Sequence, residues 1–562
     1  MTAETQRPWL QHYPEGVRPH LEYPLRPLYG LLDETASRFP DAVATRFYGG
    51  TLTWGEVRRQ ADAFAAALVD QGVKRGDRVA IMLPNVPQAV IAYYGVLKAG
   101  AVVAFFNPLY VEREIEHQLK DCGAEVMVVL DLLYDRVKRV QAATKVRRLI
   151  VTSIREYMSV PLRLLVPLVK RALVGHVPED PAVIHWRTLL REYAGSRVPE
   201  APVNPALDLA VLQYTGGTTG LSKGAMLSHR NLMANVLQVR EWMPGLVEGK
   251  EKILAVMPFF HVYGLTVALH LATVLAAELV LVPKFDLVQV LKLIDKQKPT
   301  LFPGAPSIYV AINHHQDVGD YNLSSVKACI SGAAPLPVEV QTAFEKLTGG
   351  KLVEGYGLTE ASPVTHCTPV YGRRLPGSIG LPFPDTEMKI VDLATGAEEV
   401  PPGETGELCI RGPQVMLGYW NRPEETAATL RDGWLHTGDI ARVDAEGYTH
   451  IVDRAKDMII AGGFNIYPRE VEEVLYEHPA VQDATVVGLP DEYRGQTVKA
   501  YIVPKAGAAV TAEEIIAFCR ERMAKYKAPT QVEFRESLPK SIIGKTLRRV
   551  LLEEEKQRVQ AG

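Results

Sequence analysis

Residues 214–224 read YTGGTTGLSKG: four glycines, three threonines and one lysine in eleven positions, with Leu221 the only aliphatic side chain. The stretch follows the apolar run LAVLQ (209–213), which reads as a short strand. It precedes AMLSHRNLMANVLQVREW, which reads as a helix start. A glycine-rich loop between strand and helix is a phosphate cradle: bare N–H groups approach the oxygens, and the helix N-terminus adds partial positive charge. Threonine hydroxyls supply further donors, and Lys223 a mobile point charge. A Walker loop requires glycine directly before its lysine and serine or threonine directly after it. Here Lys223 stands between Ser222 and Gly224, which excludes that pattern. An inert flexible loop would account for the glycines but not for the clustered threonines and the lysine.

Upstream of the loop, strand and helix signals alternate. RVAIMLP (78–84) reads as a buried strand, and PQAVIAYYGVLKAGA (87–101) as a helix opened by proline and closed by glycine. VVAFFNP, EREIEHQLKDCG, AEVMVVLD and RRLIVTS continue as strand, helix, strand and strand, the rhythm of a parallel α/β sheet. A chain of 562 residues exceeds one core, so at least two domains are expected. A formal charge of −3, with no zinc-finger spacing or basic helix, argues against a nucleic-acid partner. The five cysteines are scattered and none forms CxxC, so they read as buried thiols in a reducing compartment. No secretory signal and no uninterrupted apolar span of ~20 residues is visible, so a cytoplasmic protein, peripheral on the membrane at most, is the expectation.

Residues 153–179, SIREYMSVPLRLLVPLVKRALVGHVPE, break the alternation. Two readings stand open. One is a loop and helix capping the sheet. The other is an interfacial segment of about 155–175, whose Arg155, Arg163, Lys170 and Arg171 face anionic lipid on the inner membrane surface. Pro161 and Pro167 argue against one continuous helix. Near the C-terminus, PREVEEVLYEHP opens with a helix-starting proline, and VQDATVVGLPD and TVKAYIVPK read as paired strands. Thr511 and Glu514 form a capping box. The polar link at 453–456 marks a domain boundary.

The loop resembles the signature of the adenylate-forming superfamily, which includes acyl-CoA synthetases, peptide-synthetase adenylation domains and luciferases. Gly216 replaces that family's usual serine and Ser222 its usual proline. The rest of the set follows in order: PFFHVYGL (258–265), SGAAPLP (331–337), EGYGLTE (354–360), GETGELCIRGPQVMLGYW, WLHTGDI (434–440), DRAKDMIIAGGFNIYPREVE and LPKSIIGKTLRR (538–549). The resemblance implies an α/β fold: a large N-terminal domain of α/β subdomains plus a β-barrel-like subdomain (1–452), a hinge (453–456), and a small mobile α+β C-terminal domain (457–562).

It also implies ATP, Mg²⁺ and CoA as ligands and two half-reactions. A carboxylate attacks the α-phosphate to give acyl-AMP and pyrophosphate; a thiol then releases AMP. By family position, Thr215, Gly217, Thr218, Thr219, Gly220 and Lys223 grip the phosphates. Tyr356, with Gly357, Gly332 and Ala333, frames adenine. Thr359 bonds the α-phosphate and Glu360 holds Mg²⁺. Asp439 takes the ribose hydroxyls, and Arg454 reaches the nucleotide. Lys545 meets charge building in the adenylation transition state, and His261 orients the carboxylate. Lys456 is the hinge, and Gly463 lies on the CoA-side loop. No carrier domain follows Lys545 in the sequence, so free CoA is the expected thiol. The apolar PFFHVYGLTVALHLA, the TGGTTG variant and the segment at 153–179 point to a medium- to long-chain fatty acid. Loading of a carrier protein, or activation of another apolar acid, remains the alternative. Nothing in the sequence sets the oligomeric state, a homodimer being one option.

Overall fold

The computed structural model describes residues 7–169, 174–199, 202–215, 222–454, 456–461, 464–491, 494–541 and 544–561. Gly217, Thr218, Thr219, Gly220, Gly463, Lys170 and Arg171 lie outside the described residues.

The alternating signals of the first third build a seven-stranded sheet. Its order is Val183–His185, Arg148–Thr152, Val126–Leu130, Arg78–Met82, Val102–Phe105, Leu209–Tyr214 and Gly224–Ser228. All neighbours pair parallel except the last two. Val126–Leu130 and Val102–Phe105 are buried along their whole length, as strands covered on both faces must be. The helix Pro87–Lys98 is likewise buried at every position. A second layer joins Lys252–Ala255, Glu278–Leu281, Val43–Phe47 and Gly50–Thr53. Single-residue bridges at Leu301 connect it to the sheet containing Ala328–Ser331 and Lys351–Gly357. The subdomain expected to be barrel-like is a five-stranded antiparallel sheet spanning Glu387–Val391 to Thr449–Arg454.

Toward the C-terminus, strands Ile459–Ala461, Val481–Asp491 and Gly495–Pro504 and helices Pro468–Tyr476 and Ala512–Arg522 enclose a core of their own, built from residues such as Val471, Leu475, Val486, Ala500 and Ile515. The capping box of Thr511 and Glu514 closes both ways, at 2.8 and 3.3 Å. All five cysteines are free and buried.

The segment at 153–179 differs from expectation. Helix Val160–Val169 runs through both prolines. Pro161 sits in the first turn, where its missing N–H is no loss, while Pro167 gives up one i→i−4 bond near the end of the helix. Val160, Leu162, Leu164 and Leu165 are 58, 39, 65 and 51% exposed, while Val166 packs against the core. Among the described residues, no helix is long and apolar enough to cross a membrane.

Candidate active site

The glycine-rich loop closes a β-hairpin. Tyr214 pairs with Gly224, and the Thr215 N–H donates to the Lys223 carbonyl at 2.9 Å. This corrects the expected strand-to-helix passage: strand Gly224–Ser228 follows the loop, and helix His229–Glu241 begins only after it, capped by Ser228 and Asn231. The cause is tertiary. Met226 N–H donates to the Gly418 carbonyl and Trp420 N–H to that of Gly224, at 2.9 and 2.8 Å, so a distant segment holds this stretch extended. The formal positive charge at the loop is therefore Lys223. Its Nζ lies 4.7 Å from the centre of the Tyr419 ring. The Tyr419 hydroxyl in turn donates to Glu360 Oε1 at 2.6 Å.

Strand Lys351–Gly357 carries Tyr356 to the floor of the site. At Gly357 only glycine fits: a Cβ would stand 2.0 Å from the Pro363 carbonyl oxygen. Gly332 and Ala333 follow strand Ala328–Ser331, with Ala333 in the left-handed region at φ 72° and Gly332 backed by the Tyr263 ring. Thr359 begins the short turn Thr359–Ala361, beside Glu360.

Asp439 sits on strand Trp434–Val443, opposite Arg454 on Thr449–Arg454. It is only 5% exposed. Its Oδ2 accepts from the Tyr356 hydroxyl at 2.6 Å, and its Oδ1 faces Arg454 Nε at 3.2 Å. Burial and the Asp439 charge push the Tyr356 phenol up, so it stays a donor. A carboxylate has about four lone-pair sites, which leaves capacity for two ribose hydroxyls.

Lys545 reaches this neighbourhood from the far end of the chain. Its N–H donates to Ser541 Oγ at 3.1 Å, while Gly544, at φ 79°, presses so closely on Ser307 that a Cβ would lie 2.2 Å from Oγ. The lysine segment is thus docked on the start of helix Pro306–Asn313. Burial, then the charges of Arg454 and Lys456, lower Lys545 to about 7, with Asp439 and Asp457 opposing. Burial and the Lys545 charge lower His261 to about 4. His261 Nδ1 accepts from the Tyr263 N–H at 3.3 Å, so the neutral ring carries its proton on Nε2. Burial and Arg454 also lower Lys456, while Asp457, Asp439 and Glu360 oppose. Tyr356, Asp439, Arg454, Lys456, Lys545, His261 and Glu360 therefore form one electrostatic neighbourhood.

Ser222 Oγ beside the glycine-rich loop and Ser331 Oγ just before Gly332 are among the buried hydroxyls with no partner among the described residues. A hydroxyl at either position can donate to a phosphate or base acceptor, which fits a nucleotide. Glu360 keeps Oε2 clear of the Tyr419 bond, and one carboxylate plus phosphate oxygens is the donor set Mg²⁺ favours. Tyr419 was not singled out from the sequence. It lies within the MLGYW end of a quoted motif, but its link to Lys223 and Glu360 needs the fold.

The profile of the family described as AMP-binding enzyme matches residues 32–420, and that of the AMP-binding enzyme C-terminal domain matches 470–545. The chain belongs to the AMP-binding enzyme family. It is 51% identical over 553 residues to a long-chain-fatty-acid–CoA ligase of Bacillus subtilis, covering 98% of this chain and 99% of that one. It is 41% identical to the ligase of that name from Salmonella typhimurium, again over 98 and 99%. Among solved structures it resembles an anthranilate CoA ligase in complex with anthranoyl-AMP, at 28% identity and a TM-score of 0.85 over 96% of this chain and 99% of that one. It also resembles a benzoate CoA ligase from Burkholderia xenovorans, at 25% identity and a TM-score of 0.82 over 94 and 100%.

Proposed function

We propose that this protein activates a medium- to long-chain fatty acid with ATP and passes the acyl group to CoA, giving acyl-CoA, AMP and pyrophosphate. The observation that carries the reading is the meeting of Lys545 with the Asp439–Tyr356–Arg454 cluster, supported by full-length identity to fatty acid–CoA ligases. A carboxylate is a poor electrophile. Attack of its oxygen on the α-phosphorus expels pyrophosphate and makes a mixed anhydride, whose acyl carbon then accepts the thiol sulfur while AMP leaves. The protein's task is to align anions and neutralise charge.

Asp439 fixes the ribose, and Tyr356, with Gly332, Ala333 and Gly357, frames the base. Thr215, Lys223 and the loop residues Gly217, Thr218, Thr219 and Gly220 hold the phosphates, with Thr359 at the α-phosphate. Glu360 would hold Mg²⁺, which when bound neutralises phosphate charge. Arg454 and Lys545 face the negative charge that builds during adenylation. His261, neutral at physiological pH, donates from Nε2 to orient the carboxylate rather than removing a proton. We assign 1–452 to the large domain, 453–456 to the hinge with Lys456 as pivot, and 457–562 to the small domain, whose Gly463 loop would face CoA. The protein is cytoplasmic in this reading. The exposed face of Val160, Leu162, Leu164 and Leu165, with Arg155 and Arg163 nearby in sequence, touches the inner membrane surface.

The test is AMP release from a panel of acids with CoA. Palmitate and laurate are expected to exceed benzoate and acetate severalfold, with acyl-CoA as product. Preference for an aryl acid, as the anthranilate and benzoate ligases suggest for a second reading, or adenylate made without CoA consumption, would overturn the assignment. Sedimentation with anionic vesicles that weakens with salt is expected, and equal binding when Leu164 and Leu165 become serine would refute the membrane contact.

A further inference from the structure

Two buried carboxylates that precede Lys456, Glu354 in the large domain and Asp453 at the start of the hinge, face two arginines of the small domain. Glu354 lies on the strand that carries Tyr356; its Oε2 accepts from the Leu336 N–H of the adenine-side turn at 3.3 Å, and its Oε1 faces Arg469 Nη2 at 3.8 Å. Asp453 lies on strand Thr449–Arg454; its Oδ2 accepts the Arg469 backbone N–H at 2.8 Å, and its Oδ1 faces Arg548 Nη1 at 3.8 Å. Glu354, Asp453 and Arg469 are 9, 4 and 8% exposed. Arg548 is also bonded to Asp457 and Glu472, at 2.9 and 2.7 Å, and Arg469 Nε to Glu473 at 3.1 Å. None of these groups has a part in the chemistry described above.

The position of the pivot sorts these contacts into two kinds. Asp457, Glu472, Glu473, Arg469 and Arg548 all follow Lys456, so turning about that residue moves them together. Glu354 and Asp453 precede it. Rotation of the small domain therefore leaves the Asp457–Arg548–Glu472 group intact and parts Glu354 and Asp453 from their arginines. We propose that Arg469 and Arg548, clasped by Glu354 and Asp453, are positioning residues that hold the small domain, and with it Lys545, over the nucleotide during adenylation only. This rests on the two-step reading given under Proposed function. Buried ion pairs contribute little net stability but penalise arrangements that leave one partner unpaired, which is what orientation control requires. Burial pushes Glu354 up to about 7 and Asp453 to about 6, and Arg469 and Arg548 respectively oppose that rise, which is the electrostatic mark of the two contacts. Glu354 also ties the clasp to the adenine-side turn through Leu336, linking base-site geometry to domain orientation.

The test uses the full-length protein with Arg469→Met, Glu354→Gln and the double variant. ATP–pyrophosphate exchange is expected to fall about tenfold, the scale of one lost coupling. Thioester formation from synthetic acyl-adenylate plus CoA should hold or rise, and the double variant should be no worse than Arg469→Met. Equal losses in both half-reactions, additive losses in the double variant, or no loss at all would overturn the proposal. Domain orientation is read separately by spin labels at Lys346→Cys and Lys525→Cys, both exposed, the native cysteines being buried. One dominant distance is expected in the parent and a broadened distribution in Arg469→Met; an unchanged distribution counts against the clasp. If Arg469→Met fails to fold, the isosteric Glu354→Gln decides on the same readouts. If no acid supports exchange in the parent, the functional reading fails, while the distances still decide the clasp.

Discussion

The seven-stranded sheet and the junction between the two domains are held by different chemistry. Strands such as Val126–Leu130 and Val102–Phe105 contain only apolar residues and are buried throughout. The junction concentrates Glu354, Asp439, Asp453, Arg454, Arg469 and Arg548. Apolar burial is roughly proportional to area and indifferent to direction, so it fixes a core by filling volume. Ionic contacts depend on direction and can be exchanged one for another. The first kind suits a part that must not move. The second suits a part that must occupy one orientation, leave it and return.

The largest effect separating the two regions is expected in the core. Phe64 is fully buried and packs on Trp186 with ring centroids 4.9 Å apart. Phe64→Ala should cost the large domain about 3–5 kcal/mol, measured by urea unfolding followed at the large-domain transition. Junction variants should leave that transition near its parent midpoint.

Lys545→Ala should lower overall turnover by ~10²–10³-fold, the scale for one preorganised charge donor. Given synthetic acyl-adenylate and CoA, the same variant should form thioester at close to the parent rate. Equal damage to both steps would remove the role assigned to Lys545.

Lys456→Pro fixes φ at the proposed pivot. Adenylate formation should persist while thioester formation drops by roughly tenfold or more, the factor carried by ~1.4 kcal/mol. Both steps surviving intact would move the pivot elsewhere.

The smallest expected effect is a fraction of a proton. Lys545 is lowered to about 7 by burial and neighbouring cations, so in the ligand-free protein it is mostly neutral at pH 8. Phosphate groups favour the ammonium form, so ATP binding at pH 8 should take up protons. Uptake should fade below pH 7, where the lysine is already charged. Calorimetry in two buffers of different ionisation enthalpy measures it, and Lys545→Met should abolish it.

The candidate site residues stand in contiguous motifs, and most are singled out by the resemblance of those motifs to a known family rather than by local geometry, which alone would read Lys545 as a solvated lysine and Tyr356 as core packing. The helix-opening Pro87 and Pro468 and the Thr511–Glu514 box stand where chain-local rules put them. Other features depend on distant partners. Gly224–Ser228 becomes a strand because Gly418 and Trp420 bond to it, which no local propensity announces. Helix Val160–Val169 accommodates Pro161 in its first turn and continues through Pro167, a continuation that local rules do not announce. Tyr419 shows its bond to Glu360 only when residues 59 positions apart meet. Glu354 and Arg469 read as a strand acid and a helix-start base, and their pairing is visible only across the folded junction.

The central claim is that a carboxylate oxygen attacks the α-phosphorus of ATP before the thiol enters. Palmitate labelled with ¹⁸O in both carboxyl positions, incubated with the protein, ATP, Mg²⁺ and CoA, tests it directly by mass spectrometry of the products. One ¹⁸O should appear in AMP, one should remain in the acyl-CoA carbonyl, and none should enter pyrophosphate. Unlabelled AMP, or label in pyrophosphate or inorganic phosphate, would contradict the account.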